Sequence, residues 1–113
     1  MRHKSLKYIL DIESVIAEIE EIKIRTKNNF DEYRSDFLMK RATERDLEII
    51  GEAIRKLIEI NPNIQIGNSQ KIIGLRNLIS HAYDSVDDEL IWGIIQKSIP
   101  DLKIEIELLK STL

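Results

Sequence analysis

Apolar residues recur at helical spacing along most of the chain. Ile9, Ile12, Ile16 and Ile19 repeat at intervals of three and four, and Val15 and Ile22 widen the stripe. This predicts a first helix over about residues 5–26, with an apolar side broad enough to meet more than one neighbour. Asp11, Glu13, Glu18, Glu20 and Glu21 fill much of the remaining surface, the pattern of a solvated helix face. Asn28-Asn29 breaks the pattern. Residues 30–37 read as a short helical turn leading into a second long helix over about 35–60. Leu47, Ile50, Ile54, Leu57 and Ile58 line one side of that helix, and Met39, Ala42, Ile49 and Ala53 another. Gly51 falls mid-helix, where glycine costs about 1 kcal/mol relative to alanine. Close approach of a neighbouring helix, or a kink, accounts for it.

Asn61-Pro62-Asn63 ends the second helix, because proline lacks the donor that a helix interior needs. After a linker over residues 64–67, Asn68 or Ser69 is placed to cap a third helix that turns Ile72, Leu75, Ile79 and Ala82 to the core. Asp84-Ser85 reads as a turn. Asp87, Asp88 and Glu89 suit the positive N-terminal end of a fourth helix, which continues through Ile91, Trp92, Ile94 and Ile95. Ser98-Ile99-Pro100-Asp101 interrupts or kinks it, and a last stretch holds Leu102, Ile104, Ile106, Leu108 and Leu109. The pattern predicts a single all-α domain over residues 1–113, an up-and-down bundle of four to five helices whose neighbours run antiparallel.

Composition agrees with that picture. Only four glycines and two prolines break the chain, and 42% of its residues are hydrophobic against 33% charged. A core from 113 residues is modest, so partner subunits would help. The formal net charge is −3, so contact with nucleic acid has to be local, in a cleft or across a dimer, rather than on a broadly basic surface. The absence of cysteine excludes a disulfide frame and a thiolate zinc site. No apolar run is long enough for a signal peptide or a membrane span, so a cytoplasmic, membrane-free protein is expected.

The chain holds no Gly-rich phosphate loop, no metal-spaced histidine cluster and no Gly-x-Ser-x-Gly turn, and no cofactor or metal is expected. Its candidate chemistry is a polar set interrupting the third helix: Arg76, Asn77, Ser80, His81 and Tyr83. At about 100° per residue, Arg76, Ser80 and Tyr83 fall within about 40° of one another, and Asn77 and His81 share a second stripe. Arg76 and His81 diverge by about 140°. They converge if the helix frays before His81, if long side chains bend around Asn77, or if a second subunit brings its own pair across a shared cleft.

RNA offers a reaction suited to these groups. Its 2′-hydroxyl attacks the adjacent phosphorus, a histidine titrating near neutrality moves the proton, and an arginine holds the phosphate and the charge that builds there. Plainer roles are also open. Arg76 can pair with Glu48 or Glu52, His81 can serve as a cation at a helix C-terminus, and Tyr83 can be a packing residue. Trp92 fits the core or an interface.

The segment Arg76-Asn77-Leu78-Ile79-Ser80-His81-Ala82-Tyr83 resembles the Arg-x4-His-x-Tyr motif of the HepT-like toxins, a branch of the HEPN superfamily. Residues 41–53, from Arg41-Ala42-Thr43-Glu44-Arg45 through Gly51-Glu52-Ala53, resemble that family's second-helix signature. Ile73-Gly74-Leu75-Arg76-Asn77 and the stretch from Ile91-Trp92 to Ile99-Pro100-Asp101-Leu102 also fit, so the likeness covers nearly the whole chain. It implies a HEPN-like helical domain that dimerises and acts as a metal-independent endoribonuclease. Arg76 and His81 would be its catalytic pair, with Asn77 and Ser80 in support. It further implies a cognate minimal nucleotidyltransferase antitoxin that attaches AMP to Tyr83. The acidic residues Asp84 and Asp87 to Glu89 set negative charge beside the expected RNA cleft. The alternative is a non-catalytic HEPN module that binds a nucleotide or docks the nucleotidyltransferase.

Overall fold

The apolar stripe of the first segment becomes one wall of the core. The computed structural model describes residues 2–67, 69–81 and 87–113, with side chains described over 3–67, 69–75 and 87–113. Helix α1, Arg2–Arg25, buries Ile9, Ile12, Val15, Ile16, Ile19 and Ile22. It stops where the Thr26 hydroxyl donates back to the Ile22 carbonyl at 2.8 Å. Lys27 and Asn28 then take left-handed φ angles of 58° and 48°, a conformation asparagine tolerates better than most residues.

That turn frees Asn29 to cap α2, Phe30–Ser35, through its side-chain oxygen, which accepts from the Glu32 N–H at 3.1 Å. Asp36 repeats the device for α3, Phe37–Ile60, accepting from the Met39 N–H at 3.1 Å. The expected run from residue 30 into the second long helix is thus two helices separated by one capping residue. A helix as short as α2 is not stable by itself. It is held by Tyr33, fully buried, whose ring centroid lies 5.1 Å from that of Trp92, with the Phe30 ring tilted against Trp92 at 6.1 Å.

Helix α3 buries Leu47, Ile50, Ala53, Ile54 and Leu57. Gly51 is buried in a helix that continues unbroken to Ile60, as close packing against a neighbour requires. The helix ends at Asn61 as predicted. Its N–H reaches the Leu57 carbonyl at 3.0 Å, while its side chain accepts from the Asn63 N–H at 3.2 Å. In the connector Ile66 is buried, and the Gly67 N–H donates to Glu105 Oε2 at 2.6 Å.

Helix α4, Ser69–His81, packs on α3. Helices α5, Asp88–Gly93, and α6, Ile99–Ser111, are joined by a π-helical turn over Ile94–Ser98. Pro100 has no N–H to give to the preceding turn. The Ile99 N–H donates instead to the Ile94 carbonyl, one residue wider than an α-turn. The interruption expected around Pro100 is therefore a local widening inside one helical run. Leu102 and Ile106 of α6 face the core, whereas Ile104 and Leu108 are 59% and 63% exposed. Ion pairs from Lys103 to Glu20, 2.7 Å, and from Lys110 to Glu13, 3.0 Å, fasten α6 to α1. The result is an all-α bundle of five helical elements, counting α5 to α6 as one run, with no strand among the described residues.

Candidate active site

Helix α4 sets the frame of the site. Its 13 residues bury Ile72 and Leu75 against the core. Arg76, Asn77, Ser80 and His81 follow on its last two turns, all within the helix. Because the helix persists through His81, fraying ahead of that residue does not bring Arg76 and His81 together. On a regular helix they remain about 140° apart. Tyr83 lies outside the described residues, as do Asn68, Ala82, Asp84 and Ser85.

The surroundings of the motif follow from the chain path. The connector between α3 and α4 is short, so α4 returns antiparallel along α3. Its length of about 20 Å is little more than half that of the 24-residue α3. The motif end therefore lies beside the middle of α3. From the other side, α5 starts at Asp88, which Lys40 of α3 holds at 3.0 Å.

Two charges of the acidic run after the motif are already taken up. The Asp87 carboxylate caps α5, accepting from the N–H groups of Glu89 and Leu90 at 3.0 and 3.3 Å. Asp88 is the partner of Lys40, and both are partly buried. Next to this pair, burial pushes the Glu44 carboxyl above the usual carboxylate range. Asp88 adds to that effect, and Lys40 and Arg41 oppose it.

The structure also shows groups that the sequence pattern did not single out. The Tyr33 hydroxyl is buried near Thr43 without a hydrogen bond of good geometry, while Thr43 Oγ1 donates to the Met39 carbonyl at 2.8 Å. Burial, with Asp88 and Glu44 nearby, drives its phenol above the ordinary range. Asp46 is only 4% exposed, and its Oδ2 also lacks a partner. It faces Glu18 of α1, so burial first and that second carboxyl next push it up to about 7. Its place was readable: residue 46 is one turn before the core residue Ile50 and beside Leu47. Trp92, expected in core or interface, is half-buried as the roof over Tyr33.

Among protein families, the profile described as ribonuclease HepT-like matches residues 12–109. A probable ribonuclease HepT of Thermococcus cleftensis is 30% identical, over 97% of this chain and 99% of its own. A candidate RNase of Caldanaerobacter subterraneus is 33% identical over 85% of this chain and 88% of its own. A candidate RNase of Methanocaldococcus jannaschii is 30% identical over 87% and 95%. No solved structure matches the chain.

Proposed function

Since the chain belongs to the HepT-like ribonuclease family, we propose that it is a metal-independent endoribonuclease toxin, acting as a homodimer and restrained by a nucleotidyltransferase antitoxin. The observation that carries this reading is the family match over residues 12–109, which spans the Arg76–His81 motif at the end of α4. The RNA 2′-oxygen attacks phosphorus, the P–O5′ bond breaks, and a 2′,3′-cyclic phosphate and a 5′-hydroxyl result. His81 takes up or returns the proton moved in this exchange. Arg76 holds the phosphate oxygens through paired hydrogen bonds as their charge grows. Asn77 and Ser80 orient these groups. DNA lacks the attacking hydroxyl and resists.

Tyr83 is the control point. An AMP group on its phenol sets bulk and negative charge beside the site and opposes RNA phosphate. The reading puts the pair at work in the cytoplasm, where RNA is the substrate; no helix among the described residues is long and apolar enough to cross a membrane.

The test is cleavage of total RNA by the purified chain and by its Arg76→Ala and His81→Ala variants, with chemical analysis of the new ends. Cyclic phosphate ends from wild type, and loss of cutting by about a hundredfold or more in either variant, are expected while helix content is unchanged. Equal cutting by all three overturns the assignment. A pure protein that cuts nothing yet holds the nucleotidyltransferase in a stable complex is the non-catalytic module instead. Intact mass increments of AMP that vanish in Tyr83→Phe check the control point.

A further inference from the structure

Helix α3 carries a line of side chains that the motif chemistry does not use. Phe37, Arg41 and Arg45 recur at intervals of four, so they stand one turn above another on a single stripe. All three are exposed, Phe37 to 64%, where a lone core-type aromatic would normally be covered. The Arg41 guanidinium sits over the Phe37 ring at 6.0 Å from its centroid.

Neither arginine takes part in an ion pair among the described residues. Among the other described cations, Lys7, Arg25, Arg34, Lys40, Arg55, Lys103 and Lys110 are engaged with carboxylates, and others are scattered lysines such as Lys23, Lys56 and Lys97. Glu44 and Glu48 flank the stripe, but Glu44 is half-buried against Asp88 and Lys40, and Glu48 has interactions of its own. On a chain of net charge −3, two exposed guanidiniums, whose charges act on the part-buried Glu44 and the buried Asp46, form a local cationic patch with the exposed Phe37 ring as a stacking surface. The stripe lies on the N-terminal half of α3, beginning just beyond the middle that the motif end of α4 reaches.

We infer that Phe37, Arg41 and Arg45 form a single-stranded RNA subsite that carries the substrate past the motif. An unpaired base stacks on Phe37, and the two guanidiniums hold successive phosphates along the helix. Single strands fit this better than duplex, because stacking on a side chain needs a base face that is free. Fork-shaped donors at one-turn spacing suit phosphate oxygens better than they suit a flat protein surface. The inference rests on the ribonuclease reading for its substrate class, but it is read out by binding.

The experiment measures binding of a fluorescent, fully 2′-O-methylated single-stranded RNA, which has no attacking hydroxyl, to the full chain over a range of salt. Changing Arg41 and Arg45 together to alanine should weaken binding about tenfold or more. It should also lower the slope of log affinity against log salt by about 1.4, two contacts at about 0.7 each. Phe37→Ala should weaken binding about fivefold or more with the slope unchanged. Arg41→Lys combined with Arg45→Lys keeps both charges and should leave the slope at its wild-type value. Arg25→Ala, whose guanidinium is already paired with Glu21 at 3.1 Å, should alter neither quantity.

Equal affinity and slope in the double variant, or no RNA binding by the wild type, overturns the subsite. So does a change of oligomeric state in light scattering with RNA affinity intact, which would make the stripe a protein interface. A wild type that cuts RNA but ignores the stripe refutes the subsite alone. One that binds through the stripe but never cuts refutes the ribonuclease reading alone.

Discussion

Asp46 sits where packing between α1 and α3 leaves no room for a charge. Its Oδ2 is buried without a donor, and the group facing it is another carboxyl, that of Glu18. Burial first, and then the facing Glu18 carboxyl, with which a contact needs a proton between the two acceptors, push the Asp46 carboxyl up. The consequence for stability has a definite sign. Unfolded, the side chain gives up its proton near 3.8; folded, near 7. Below the first value both states are protonated and the contribution is complete. As the pH rises from about 4 to about 7 the unfolded state releases its proton first, so stability falls, and above that window it levels off. Asp46→Asn copies the protonated acid and should remove this slope. Thermal melts at pH 8 should place the variant above wild type by about 4 °C or more, and at pH 4 the two should coincide. An unaltered slope between pH 4 and 7 would sink the shared proton. Tyr33 is the neutral counterpart, a buried hydroxyl without a hydrogen bond of good geometry. Tyr33→Phe removes that unmet group and keeps the ring on Trp92, so the variant should melt no lower than wild type and gain up to about 1 kcal/mol. A clear fall in melting temperature would show that the hydroxyl has a structural partner after all.

At the level of elements, single polar residues decide where helices begin. Asp36 closes α2 with its backbone, donating to the Tyr33 carbonyl at 3.1 Å, and opens α3 with its side chain. Asp36→Ala should cost about 1 kcal/mol, read as a fall of about 4–8 °C in melting temperature for a domain of this size; Asp36→Ser should recover most of it. This boundary was blurred in the sequence because residues 30–37 and 37–60 are both helical, and periodicity does not register a break of one residue. The broad stripe of α1, the stop at Asn61-Pro62 and the cap at Asp87 were legible, since each depends on local spacing or on one residue's chemistry. The π turn was legible only as trouble at Pro100; whether proline breaks a helix or widens it depends on how well Ile94, Ile95 and Ile99 are buried. Asp46 escaped notice for a similar reason. Pattern reading assigns aspartate to the surface, although its spacing from Leu47 and Ile50 put it on the buried side of the helix. The catalytic candidates stand apart from all these: spacing shows a polar helix end, and the roles of Arg76 and His81 come from the family likeness.

For the whole molecule, the question is how many chains make one site. Helix α4 continues through His81, and positions five apart on a regular helix are separated by about 140° around its axis. In the proposed homodimer a two-fold axis passing the end of α4 would resolve the divergence, by setting the arginine of one protomer opposite the histidine of the other and repeating the arrangement on the far side. It also gathers cationic groups from both copies on a chain that is acidic overall. Mixing two dead variants separates this from a site within one chain. In a mixed dimer of Arg76→Ala with His81→Ala, one of the two shared sites has lost both groups and the other has lost neither. With random exchange about half the dimers are mixed, so co-refolded protein should recover roughly a quarter of wild-type cleavage, although each variant alone is inactive. If each copy instead works with its own pair, every site in the mixture lacks one group and no activity returns. Light scattering on the same samples confirms that exchange has occurred, so an inactive mixture of exchanged dimers would assign the site to a single chain and make side-chain reach around Asn77 the means of convergence.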